Sequence, residues 1–220
     1  MKVLNLYACL GGNRYKWNEV KNDIEVTAIE LDEELAEMYK KRFPNDNVIV
    51  TDAHQYLLKH YKEYDFIWSS PPCPTHSKLK FSQKNKSFYI AEYPNMSLYQ
   101  EIIFLSSIYK GIFCVENVKP YYKPLINAQE RGRHLYWCNF KLPTNINERK
   151  EGIGLVGNSR IKNELQKLCK FHEIDLTNYN GKYRKLSLAR NLVDYQAGKT
   201  IFEIAINKYK KTNNQQIELF

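Results

Sequence analysis

Val3-Leu4-Asn5-Leu6-Tyr7-Ala8-Cys9-Leu10-Gly11-Gly12 decides the fold: an apolar strand over residues 3–8 runs straight into a pair of glycines. Glycine has no Cβ and accepts positive φ, so Gly11-Gly12 lets the backbone turn sharply and approach a ligand closely. The stretch lacks the full G-x-G-x-x-G spacing of dinucleotide sites, and taken alone an ordinary turn explains it equally well. Its weight comes from the rest of the chain. Residues 26–29, 48–50, 66–68 and 112–115 read as further strands, while 33–43 and 98–110 carry apolar residues at helical spacing. That alternation predicts an α/β fold, a mostly parallel sheet wound with helices on both faces. Ligands of such sheets sit outside the carboxyl ends of the strands.

The strand ends are therefore where chemistry is expected. The second ends on Glu30-Leu31-Asp32, the third on Asp52-Ala53, the fourth on Ser70-Pro71-Pro72-Cys73 and the fifth on Glu116-Asn117-Val118. Glu30 can accept both hydroxyls of an adenosine ribose, as acidic residues do in Rossmann-type sites, with Asp32 instead capping the next helix. Asp52 is placed to accept the exocyclic amine of an adenine or, equally, to cap the segment beginning at Ala53. Two prolines stiffen the backbone and hold the Cys73 thiol at the sheet edge. A free thiol with a pKa of about 8.5 is mostly protonated near neutral pH, so a nucleophilic Cys73 needs a positive field, to which the lysines after it are expected to contribute. The plain alternative is an inert buried cysteine. Glu116, held in a dry pocket, can keep a proton to donate to N3 of a cytosine; otherwise it is a strand-end carboxylate that caps or forms an ion pair. Gln129-Glu130-Arg131-Gly132-Arg133 precedes the apolar run 134–140. Of its two arginines, one is expected to reach a base carbonyl and the other a structural carboxylate.

With 220 residues and 43% hydrophobic content the chain can bury one sizeable core, and we expect one domain with at most a small insertion. Its formal charge of +9 is spread along the chain, which suits a polyanionic partner as well as a generally Lys-rich surface. Lys78, Lys80, Lys84 and Lys86 alternate with Phe81, Phe88 and Tyr89. Cations interleaved with aromatics fit phosphate binding and filling of the gap left by a flipped base, against the alternative of a solvated loop. The five cysteines are odd in number and contain no C-x-x-C pair, which points to neither a disulfide framework nor a zinc site. No run reaches membrane-span length and no signal sequence is visible, so a cytoplasmic protein is expected. After Phe140 the sequence turns polar without strong period until Leu186; 186–193 and 197–209 read as helical or mixed segments returning to the core, and 210–216 as a frayed tail.

In this order, the glycine loop, the acidic end of strand two, the Asp of strand three, Pro-Cys, Glu-Asn-Val and Gln-x-Arg-x-Arg resemble the DNA cytosine-5 methyltransferase family. The resemblance covers residues 3–140 and returns over 186–209, where Asn191-Leu192-Val193 is similar to the family's last Asn-Ser-Val motif. It implies a Rossmann-like methyltransferase fold with S-adenosyl-L-methionine as cofactor and no metal. It divides the chain into a catalytic and cofactor-binding core (1–140), a short target-recognition region (141–185) and a C-terminal segment returning to the core (186–220). DNA is the implied partner, with RNA, including transfer RNA, as the alternative, for a monomer or weak oligomer whose short recognition region reads a short sequence or needs a helper subunit. By the same resemblance Cys73 attacks C6 of a flipped cytosine, Glu116 hydrogen-bonds N3 and Arg133 holds O2. Tyr7, Ala8, Leu10, Gly11, Gly12, Glu30, Leu31, Asp52, Ala53, Pro72 and Asn191 would meet the cofactor, and Ser77, Lys78, Lys80, Lys84, Lys86 and Arg131 the nucleic acid.

Three residues depart from the family pattern: Cys9 stands for a usual glycine, Pro74 for a glutamine and His76 for a phenylalanine. They bear on loop geometry more than on chemistry. Ser70-Pro71-Pro72 also partly resembles the Ser-Pro-Pro-aromatic motif of amino-directed methyltransferases, which need an aromatic where Cys73 sits. A non-catalytic nucleic-acid-binding relative, its cofactor loop altered by Cys9, is the competing reading from another class. A Cys73/His76 hydrolase lacks an oxyanion motif.

Overall fold

The two central strands, β1 (Lys2–Leu6) and β4 (Phe66–Ser69), are buried almost throughout, which is why their sequences read as continuous apolar runs. The computed structural model describes residues 1–146 and 163–217. With β2 (Glu25–Glu30), β3 (Asn47–Val50), β5 (Ile112–Val118), β6 (Gln129–Arg131) and β7 (His134–Cys138) they form a seven-stranded sheet in the order β3-β2-β1-β4-β5-β7-β6. Neighbours among β1 to β5 pair in parallel, and β7 runs antiparallel to both β5 and β6. The strand order reverses between β1 and β4, so the crevice that such sheets use for ligands opens there.

Register places the strand ends in one line. Ile49, Ile29, Leu6, Ser69 and Val115 are successive partners across the sheet. The next residues along, Val50, Glu30, Tyr7, Ser70 and Glu116, therefore emerge at a common edge, and a slip of one residue would turn each to the opposite face.

Among the described residues there are eight α-helices: α1 (Trp17–Val20), α2 (Glu33–Arg42), α3 (Ala53–His60), α4 (Lys78–Phe81), α5 (Ser97–Ser107), α6 (Glu164–His172), α7 (Lys185–Asn191) and α8 (Tyr195–Ile217). On one sheet face Val3, Phe66 and Trp68 pack with Trp17, Ile201 and Phe202, joining α1 and α8 to the sheet. On the other, Leu4, Ile67 and Val115 pack with Leu57 of α3 and Ile102 and Leu105 of α5. A third cluster joins Leu10 and Leu35 to Leu168, Leu188 and Leu192, seating α6 and α7 against α2 and the loop after β1.

Most expected elements are present, with three corrections. β1 stops at Leu6 instead of residue 8, because Tyr7 adopts a positive φ of 56°. The interval assigned no period contains α6, where Leu165, Leu168, Cys169 and His172 recur at helical spacing too briefly to stand out from their polar surroundings. The tail expected to fray is helical to Ile217, continuing α8. Residues 147–162 of the region read as target-recognising lie outside the described residues. Among those described, no helix is long and apolar enough to cross a membrane.

Candidate active site

The loop after β1 is built around left-handed backbone. Tyr7 (φ 56°), Cys9 (φ 46°) and Gly11 (φ 67°) all have positive φ, a region that costs a non-glycine residue about 1–2 kcal/mol. A carboxylate meets each of the two non-glycine residues. The Cys9 N–H donates to Oε2 of Glu30 at 2.8 Å, and the Tyr7 hydroxyl donates to Oε1 of Glu101 at 2.5 Å. The other Glu30 oxygen accepts from the Asp32 N–H at 2.9 Å, so the β2 carboxylate is fixed in orientation. A Cβ on Gly11 would fall 2.4 Å from the Phe43 ring, and one on Gly12 would fall 2.5 Å from the Val193 carbonyl oxygen. The glycine pair thus admits both α2 and the segment after Asn191 to the loop.

Asp32 caps α2, its Oδ1 accepting from the Leu35 N–H at 3.1 Å. Asp52 does cap α3, accepting from the Gln55 N–H at 2.8 Å. Ala8, Leu10 and Ala53 are buried, so they can offer a ligand only main-chain groups. Leu31 is 63% exposed and Val50 48%, leaving apolar side chains uncovered at the ends of β2 and β3. Asn191 is exposed at the end of α7.

Glu116 and Arg133 lie close enough to act on the ionisation of Cys73, and Arg133 on that of Glu116. Burial raises the Glu116 carboxyl from an ordinary 4.5 to about 7, against the opposing effects of a Ser70 hydrogen bond and of Arg133. Burial, and then the Glu116 charge, push the half-buried Cys73 thiol up to about 11; its own backbone and Arg133 pull the other way. The charged group that lowers the thiol's pKa is Arg133. Protonating Glu116 removes one of the two influences that hold the thiol protonated.

The Pro-Pro-Cys turn is tied to β5 by Asn117. Its Nδ2 donates to the Pro71 carbonyl at 2.8 Å, and its Oδ1 accepts from the Val118 N–H at 2.9 Å. The His134 Nε2 lies 3.5 Å from Glu116 Oε1, both side chains being largely buried. The guanidinium of Arg133 donates to the Arg190 carbonyl at 2.9 Å, and Arg190 makes a two-pronged pair with Glu164 at 2.8 and 2.5 Å. The loop between β6 and β7 is thereby anchored to α6 and α7. Arg131 turns away to main-chain carbonyls of Pro143, Glu130 and Leu142. The structural partner expected for one arginine is thus a set of carbonyls and not a carboxylate.

His76 is buried in the position usually held by phenylalanine, its Nδ1 2.5 Å from the Tyr122 hydroxyl, and burial lowers its pKa. Buried beneath the turn, it cannot serve as a partner base for hydrolysis. Of the four lysines in the next loop, Lys80 pairs with Glu92, an acid from beyond the run, whereas Lys78, Lys84 and Lys86 are exposed. Phe81 stacks on Tyr121 with centroids 4.3 Å apart, and Lys84 Nζ sits 4.6 Å from the Phe81 ring. Ser77 bridges to Pro120. Pro72 is exposed beside Cys73, while Tyr93 at 95% and Phe88 at 68% stand out from the loop. Among the described residues no group of three His, Cys, Asp or Glu is placed to hold a metal.

A mostly parallel, Rossmann-like sheet in this order, flanked by helices, gives the chain a methyltransferase fold. The family model for C-5 cytosine-specific DNA methylase matches residues 1–124, more than half of the chain, and the chain belongs to that family. A solved methyltransferase of Entamoeba histolytica, EhMeth, shares the fold at 10% identity and a TM-score of 0.52, covering 94% of this chain and 98% of its own. A Spodoptera frugiperda DNMT2 mutant is 25% identical with a TM-score of 0.40, covering 54% of this chain and 35% of its own. The chain thus spans about a third of that protein's length. A TehB-like SAM-dependent methyltransferase of Corynebacterium glutamicum is 16% identical with a TM-score of 0.31, over 53% of this chain and 54% of its own. No curated protein sequence matches.

Proposed function

We propose that the protein methylates C5 of cytosine in DNA, with S-adenosyl-L-methionine as methyl donor and Cys73 as a transient covalent nucleophile. The observation that carries this reading is the grouping of Cys73 with a buried Glu116, raised to about 7, and with Arg133. An amino-directed enzyme has no use for that grouping.

The residues at the crevice fit the cofactor. Glu30 is an oriented acceptor suited to ribose hydroxyls, and Asp52 has a second oxygen to offer an exocyclic amine. Leu31 and Val50 supply apolar surface on either side. Tyr7, Gly11, Gly12, Pro72 and Asn191 complete the proposed pocket, with Ala8, Leu10 and Ala53 contributing backbone. When bound, S-adenosyl-L-methionine supplies an electrophilic methyl group.

The chain's own residues do the rest. Glu116 donates its proton toward N3 of a flipped cytosine and Arg133 holds O2, drawing electron density from the ring. The Cys73 thiol gives its proton to solvent water and its sulfur bonds to C6 as the C5–C6 π bond opens, which makes C5 nucleophilic. After C5 is methylated, a water base takes the C5 proton, the C5–C6 double bond re-forms as Cys73 leaves, and the N3 proton returns to Glu116, restoring the aromatic ring. Flipping costs a few kcal/mol of unstacking, which hydrogen bonds to the Watson–Crick edge must offset. Lys78, Lys84, Lys86 and the loop aromatics are proposed to meet the nucleic acid, with Ser77 beside them, while Lys80 must first yield Glu92. Arg131 is kept as a support of the segment after β7. In the proposed division, 1–140 forms the core, 141–185 the target-reading region and 186–220 the returning segment.

The test is a substrate carrying 5-fluorocytosine, offered in DNA and in RNA with S-adenosyl-L-methionine present. Fluorine cannot leave as a proton, so the expected result is a stable DNA adduct mapped by mass spectrometry to Cys73 and absent from Cys73→Ala. Methylation of cytosine by Cys73→Ala at the wild-type rate would refute the mechanism, and transfer to RNA alone would refute the substrate.

A further inference from the structure

One buried carboxylate has no part in the proposed mechanism. Glu101 lies on α5 with no side-chain exposure, between Leu98, Ile102 and Leu105 on the buried side of that helix. Its Oε1 accepts from the Tyr7 hydroxyl at 2.5 Å and lies 2.9 Å from His54 Nδ1; its Oε2 accepts from the Ser69 hydroxyl at 2.6 Å. A charge taken this far from water must be compensated at the site, and these three groups compensate it. They come from three different strand ends. Tyr7 follows β1, Ser69 closes β4 four residues before Cys73, and His54 is the second residue of α3, the helix that follows β3.

We propose that Glu101 is the positioning residue of the cofactor loop. By taking the Tyr7 hydroxyl it keeps a non-glycine residue in the left-handed conformation from which the turn through Cys9 and Gly11 starts. By taking the Ser69 hydroxyl it ties that turn to the strand carrying the nucleophile. Glu30 holds Cys9 from one side of β1 and Glu101 holds Tyr7 from the other, so the loop is fixed at both of its strained non-glycine positions. Glu101 touches neither cofactor nor base; it acts through Tyr7. The proposal rests on the assignment of this crevice to S-adenosyl-L-methionine.

The experiment measures S-adenosyl-L-methionine affinity by calorimetry for the wild type, Tyr7→Phe, Glu101→Gln, Glu101→Leu and the double variant Tyr7→Phe/Glu101→Leu. Tyr7→Phe should bind about threefold to tenfold more weakly, the effect of one hydrogen bond. Glu101→Leu strands two hydroxyls and should lose about tenfold or more. Glu101→Gln keeps an acceptor for Tyr7 and can donate to Ser69, so it should recover most of the affinity. In the Glu101→Leu background Tyr7→Phe should add nothing, because its partner is already gone. A purely structural role would lower the unfolding midpoint while leaving the affinity of the folded protein unchanged, and that result, or additive losses, overturns the proposal. If Glu101→Leu does not fold, wild-type affinity in Tyr7→Phe overturns it as well. A wild-type protein that does not bind S-adenosyl-L-methionine refutes the cofactor assignment itself, a different outcome from binding that Glu101 does not influence.

Discussion

Replacing Glu116 by Gln should stabilise the protein, and by an amount that depends on pH. The carboxyl is raised from 4.5 to about 7 chiefly by burial, so the folded state binds its proton more tightly than the unfolded chain does. For a raised pKa the stabilisation is fully present below about 4.5 and is lost as pH rises through about 7, since between these values the folded state must give up a proton it prefers to keep. At 1.36 kcal/mol per pH unit, the whole loss is on the order of 3 kcal/mol. Gln cannot ionise, so Glu116→Gln escapes it. Its stability relative to wild type, from urea unfolding at about pH 4.5, 6, 7 and 8, should start near a constant offset and climb by on the order of 3 kcal/mol. Cys73, Arg133 and His134 are present in both proteins, which makes the difference more specific to Glu116 than either curve alone. A difference independent of pH would show that Glu116 is not held protonated by its surroundings. With it would go the claim that this carboxyl is poised to serve cytosine N3 near neutral pH.

Two further outcomes are expected of the site. Glu30→Ala removes the acceptor of the Cys9 and Asp32 N–H groups together with the proposed ribose acceptor, and should weaken S-adenosyl-L-methionine binding by tenfold or more in calorimetry; unchanged affinity in the folded variant would rule the assignment out. Replacing exposed Lys84 and Lys86 by Ala should weaken binding to all DNA sequences alike and reduce the slope of log K against log salt by roughly 2, about 0.9 for each phosphate no longer neutralised. An unchanged slope would remove these lysines from the interface.

The sheet was legible because its central parallel strands are buried on both faces and spell unbroken apolar runs such as Phe66-Ile67-Trp68. Register then made the strand ends a single row, so reading Glu30, Asp52, Cys73 and Glu116 as strand-end residues amounted to reading a surface. What sequence could not give was partnership across the chain. Asn117 was visible within Glu-Asn-Val, but its bond to Pro71 depends on β4 and β5 being neighbours. His134 reaches Glu116 only because β7 returns antiparallel to β5. Glu101 did leave a local trace, a carboxylate on the apolar face shared by Leu98, Ile102 and Leu105, where an unpaired charge would be costly. The different partners of Arg131 and Arg133 could not come from an extended strand, in which residues two apart share a face; they arise because β6 ends at Arg131 and Gly132 turns with a φ of 54°.

The packing of α8 has a consequence for how the chain is made. Trp17, near the start, stacks on Phe202 with centroids 4.8 Å apart and donates its indole N–H to the Gly198 carbonyl at 3.2 Å. A chain emerging from the ribosome exposes Trp17, Phe66 and Trp68 long before α8 exists to cover them. At roughly 5–20 residues per second, the interval between Trp17 and Phe202 lasts on the order of ten seconds or more. During that time one face of the nascent sheet is an adhesive surface, and the last helix acts as the closing latch of a fold that cannot be finished domain-first. Synthesis slowed between β7 and α8 should lengthen the exposure and favour chaperone capture or aggregation, although every residue of the proposed catalytic group has by then already been made.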